Sequence, residues 1–119
     1  MTPVSETSRS VISSERVEGT AVYATNGDKL GTIDDLMIDK VSGQVCFAVL
    51  EFGGFLGMGT DRYPVPWSML DYDTTREGYV VPLDKDRINA APKYAKDEVR
   101  DYDPEYSRNI NSYYGVGPL

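Results

Sequence analysis

The stretch from Val45 to Leu70, VCFAVLEFGGFLGMGTDRYPVPWSML, constrains the fold more than any other part of the chain. An apolar run, Gln44 to Phe52, reads as a strand hydrophobic on both faces and therefore central in a sheet. Four glycines at 53, 54, 57 and 59 then free the backbone to turn. Arg62 to Trp67 reads as the returning strand. Its Pro64 and Pro66 have no N–H for a ladder, so their side is expected to be unpaired or bulged, with Tyr63, Val65 and Trp67 facing inward.

The flanking segments continue the pattern of short strands and tight turns. Glu18–Tyr23 reads as a strand, and Asn26-Gly27 is a strong hairpin signal. Leu30–Asp39 is a second strand whose apolar positions, Ile33, Leu36 and Ile38, slip by one around Asp34-Asp35. One extra residue is what a β-bulge inserts, so a bulge is expected near Asp34. Ser42-Gly43 turns into the central strand, and Leu70–Tyr72 and Gly78–Leu83 flank a turn at 73–78. The spacing predicts a mainly β fold: a small antiparallel barrel of about six short strands.

Two helices are expected near the C-terminus. Asp84 caps one over Lys85–Ala91, stapled by Leu83 and Ile88 and ended by Pro92. Asp103-Pro104-Glu105 starts another, with Tyr106, Ile110 and Tyr113 on one stripe and Gly115 at its end. Residues 1–15 are rich in Ser and Thr and are expected to form a flexible arm. The domain is placed at 16–94, and 95–119 forms an acidic, Tyr-rich extension.

Charge and residue types narrow the function more by exclusion than by assignment. A net charge of −7 opposes phosphate-backbone binding, so no nucleic-acid partner is expected. No apolar run approaches the roughly 18 residues that a membrane span requires, and the N-terminus lacks a secretory layout, so a cytoplasmic location is expected. The chain has no histidine, which removes the usual triads, zinc sites and general base. The lone Cys46 reads as a buried small hydrophobe, and Asp34, Asp35 and Asp39 as solvated carboxylates rather than metal ligands. The glycine loop lacks both the P-loop lysine and dinucleotide-fingerprint spacing. No catalytic residue, cofactor or metal is expected.

Candidate contact residues come from apolar side chains in unusual places. Phe55, Leu56 and Met58 lie within the glycine loop, where they either fold over the barrel mouth or meet a partner. Tyr106, Ile110 and Tyr113 form the apolar stripe of the tail, which packs on the barrel or on another subunit. A homodimer is the simplest symmetric assembly.

The order Gly31-Thr32-Ile33 to Asp39, Ser42-Gly43, GGFLGMG, PVPW and LDKDRINAAPKY resembles the PRC-barrel domain over about Arg16 to Tyr94. That family takes its name from the cytoplasmic domain of the photosynthetic reaction centre H subunit, and a related barrel ends the ribosome maturation factor. The chain is most similar to the stand-alone, stress-associated members. The resemblance implies a PRC-type β-barrel that makes protein contacts without enzymatic activity; the apolar glycine loop and the Tyr-rich tail add the expectation of a self-associating adaptor for a protein partner. Its alternatives are an accessory to a membrane electron-transfer complex, associated peripherally and not inserted, and maturation-factor-type binding to a basic protein.

Overall fold

A computed structural model describes residues 11–52 and 61–117. The elements are α1 (Ser14–Val17), β1 (Ala21–Ala24), β2 (Lys29–Ile38), β3 (Val45–Phe52), β4 (Asp61–Pro66), a 3-10 turn (Trp67–Met69), β5 (Asp71–Asp73), β6 (Gly78–Val81), α2 (Lys85–Asn89), β7 (Tyr94–Ala95) and α3 (Pro104–Tyr114). Six strands correspond to those expected, with ends shifted by a few residues; β7 is the addition.

Turn chemistry sets the first hairpin. Gly27 has φ of +98°, a conformation that residues with a Cβ rarely adopt. The Asp28 N–H donates to Asn26 Oδ1 at 2.9 Å and closes the turn. The bulge falls where the apolar pattern slips: Ile33 pairs with Leu50 and Asp35 with Val49, leaving Asp34 without an opposite residue. Ser13 caps α1, and Val17 drops into the core.

The strands form one sheet in the order β5-β6-β1-β2-β3-β4-β7. Two features correct the expected antiparallel barrel. The β1–β6 pair is parallel, and no ladder among the described residues joins β5 to β7, so the sheet is not closed. Hairpin logic reads only neighbours in sequence, which are antiparallel. The β1–β6 pairing joins strands more than fifty residues apart, beyond any local signal.

β3 is buried on both faces, as its composition predicts: Phe47, Ala48, Val49 and Leu50 are each no more than 2% exposed. Side chains alternate across a strand, so Ala48 and Leu50 share a face with their partners Val65 and Tyr63. Phe47 and Val49 share the opposite face with Pro66 and Pro64, which are also buried. β7 pairs with β4 only at Asp61 and Arg62 and stops short of the prolines. α3 packs against β4 as well. Trp67 departs from its expected place: it opens the 3-10 turn, half-buried, with its ring 5.5 Å from that of Tyr79.

Candidate functional site

The second face of β3 is covered by the segment that leaves β7. Tyr102 lays its ring 5.8 Å from Phe47 and 5.2 Å from Tyr106. The Tyr94 and Tyr102 hydroxyls share a hydrogen bond of 2.8 Å. Asp103 then caps α3, its Oδ1 accepting from the Tyr106 N–H at 2.8 Å. Residues 96–103 thus form a strap, tied by β7 at one end and α3 at the other.

Burial is the main reason the Tyr102 phenol is pushed well above its usual range, and its hydrogen bond with Tyr94 adds to the effect. Burial also raises Tyr94, Tyr106 and Tyr114. A phenol raised in the folded state stabilises the fold fully below its unfolded value near pH ~10, and that contribution is lost as pH rises through the folded value. An alkaline titration is therefore expected to show a delayed set of tyrosines ionising together with the loss of far-ultraviolet circular dichroism. Ionisation of every tyrosine with the fold intact would mean that the strap stands open in solution.

Beneath the strap lies a polar cavity of about 260 Å³, walled by Asp34, Asp35, Arg62, Tyr94, Glu98 and Tyr102 among others. Arg62 is only 8% exposed. Its Nε meets Asp34 Oδ2 at 2.9 Å, and its Nη1 lies 3.6 Å from Glu51 Oε2. The bulge has turned the Asp34 carboxylate toward β4, across β3, re-aiming a side chain as bulges do. Two carboxylates thus offset one buried guanidinium, and removing Arg62 would leave them facing each other. The cluster stitches β2, β3 and β4 together and contains no nucleophile paired with a base.

The strap borders a second, larger recess of about 540 Å³ at the β2–β3 hairpin. Met37, Ile38, Val41 and Phe47 form one side, and Tyr102 and Pro104 belong to the other. Val41 is 97% exposed and Ile38 50% exposed. The hairpin tip is held rigidly, because Asp39 Oδ1 accepts from the N–H groups of Val41 at 2.8 Å and Ser42 at 3.0 Å. Those backbone bonds, Ser42 first and then Val41, hold the Asp39 carboxyl below its usual range, so it stays ionised.

A family model, the PRC-barrel domain, matches residues 10–88. The chain belongs to the PRC-barrel family. A relative from Deinococcus radiodurans, named an uncharacterized protein, is 28% identical over 80 residues. The match covers 67% of this chain but 28% of that relative, so the chain spans little more than a quarter of its length. PRC-barrel domains are generally non-enzymatic, and membership suggests a protein-interaction module. The matched region ends before β7, the strap and α3, so one wall of each recess is built by sequence outside it.

Within this PRC-barrel chain, the expected contact residues fall in two groups. Phe55, Leu56 and Met58 lie outside the described residues. Tyr106 and Ile110 are 9% and 0% exposed and belong to the chain's own core, so α3 packs in cis and leaves them little surface for a second subunit. Tyr113 is also engaged in cis: its hydroxyl donates to the Arg87 carbonyl at 2.6 Å, and the Arg87 guanidinium sits 4.7 Å from its ring centre. Cys46 is half-buried in the hairpin recess, not fully buried. Of the three acids read as solvated, Asp34 is instead ion-paired. Among the described residues, no group of three or more metal-ligating side chains occurs, and no helix is long and apolar enough to cross a membrane.

Sequence reasoning missed Ile38 and Val41 as contact candidates. A signal existed: Val41 is the one apolar residue in the turn Asp39-Lys40-Val41-Ser42-Gly43, where solvated residues are the rule.

Proposed function

We propose that this chain is a protein-interaction module that engages its partner at the recess between the β2–β3 hairpin and the strap. The observation that carries the reading is the exposed pair Ile38 and Val41, held on a rigid turn beside an apolar recess. Scattered exposed apolar residues are ordinary, but a projecting group next to an apolar hollow is how interaction sites are built. The buried Arg62 cluster and the strap supply rigidity, keeping both walls in place without a partner.

Affinity capture from native cell extract tests the reading, with wild type and an Ile38→Ser/Val41→Asp variant as baits. Both positions are exposed, so the variant is expected to fold normally. A protein held by wild type and lost by the variant supports the hairpin assignment; equal retention overturns it. A Phe55/Leu56/Met58→Ser variant, run in parallel, reports on the glycine loop. Loss with that variant alone would move the contact to the loop.

A further inference from the structure

The recess and its rim carry the features of a surface that recognises itself. Isologous dimers require one patch to hold both halves of the contact, because residue i of one copy meets j of the other and the reverse. Here a projecting side chain, Val41, stands next to an apolar hollow that includes Met37, Phe47 and Tyr102. Knob and hole therefore occupy the same patch.

Charge favours a second copy over a basic partner. The chain as a whole is −7, so two copies repel in most orientations. The charged residues lining this recess are Asp39, Lys40, Arg100 and Asp101, two of each sign. A basic partner would be drawn to acidic surface, whereas a balanced patch lets two acidic copies approach. Lys40 on the hairpin and Asp101 on the strap are both exposed, and neither has an ion pair among the described residues. Lys40 immediately precedes Val41, so a hairpin entering a second copy's recess carries Lys40 toward that copy's strap.

We propose that the occupant of the recess is a second copy of this chain, paired about a two-fold axis. Val41 of each copy enters the apolar hollow of the other, and Lys40 of each meets Asp101 of the other. The proposal rests on the interaction reading above and names the partner for that same surface.

The test is sedimentation equilibrium over a wide concentration range. Wild type is expected to self-associate and Val41→Asp to remain monomeric, with unchanged circular dichroism. Lys40→Glu and Asp101→Lys, each alone, are expected to weaken dimerisation about tenfold, since two exposed pairs turn from attraction to repulsion. Mixing these two single variants restores association, because both pairs in the mixed dimer again join opposite charges. The double variant self-associates as wild type does, but pairs with wild type about tenfold more weakly. Monomeric wild type at every concentration overturns the self-pairing; the module reading is then judged by the extract capture. A dimer indifferent to Val41→Asp and to the charge exchanges also overturns it, by placing the contact elsewhere.

Discussion

Ile110→Ala is expected to destabilise the protein by about 3 kcal/mol, within the range measured for truncating a buried isoleucine. Ile110 is fully buried on α3, packed with the central core rather than presented to solvent. Truncation removes apolar contact and leaves a cavity that α3, anchored through Arg87 and Tyr113, cannot fully close by shifting. The denaturant midpoint should fall with the m-value unchanged, and the melting temperature should drop by roughly 10 °C. A loss below about 1 kcal/mol would mean that α3 does not pack on its own sheet in solution. The effect reaches the site, because Pro104 and Ser107, at the start of this helix, line the hairpin recess. Partner capture should weaken in the same variant at temperatures where wild type still binds.

Gly31→Ala is expected to cost on the order of 3 kcal/mol, although alanine is ordinarily preferred over glycine within a strand. A Cβ at Gly31 would collide with the Glu51 carbonyl oxygen and sit 3.3 Å from the Phe52 Cα. Both are backbone atoms of the partner strand, so no rotamer change relieves the clash, and β2 and β3 must separate. Glu51 is also a carboxylate partner of Arg62, so the displacement loosens the stitched cluster. Gly117→Ala is the control: nothing lies within 4 Å of a Cβ there, and stability should be unchanged. Equal stability of the two variants would mean that β2 and β3 are not held as closely as the structure places them.

The local chemistry of this chain was legible before any coordinates. Asn26-Gly27, the slip at Asp34, Asp84 and Asp103 as caps, and the doubly apolar run of β3 all determine structure through neighbours within a few residues. Each reappears where expected: the hairpin, the bulge, α2, α3 and the central strand. The five motifs that resemble PRC-barrel domains were enough to place the chain in its family.

What stayed hidden depends on contacts between residues far apart in sequence. β7 is two residues long, too short for any periodicity to announce it. The bulge was legible at Asp34, but its partner Arg62 was not, because the pair meets only when β4 folds back beside β3. The apolar stripe of Tyr106, Ile110 and Tyr113 specifies that α3 must be covered without saying by what. Tertiary structure answered with the chain's own sheet: α3 packs on β4, and Tyr102, just before the helix, lies against Phe47. The same docking brings the strap beside the hairpin and creates the recess next to Val41. Sequence by itself therefore determined six of the strands and the two C-terminal helices with their caps, because hydrogen bonding and side-chain alternation act locally. Only the tertiary structure decided the open sheet, the parallel pair and the recess beside Val41, because each is a pairing of surfaces that no local pattern encodes.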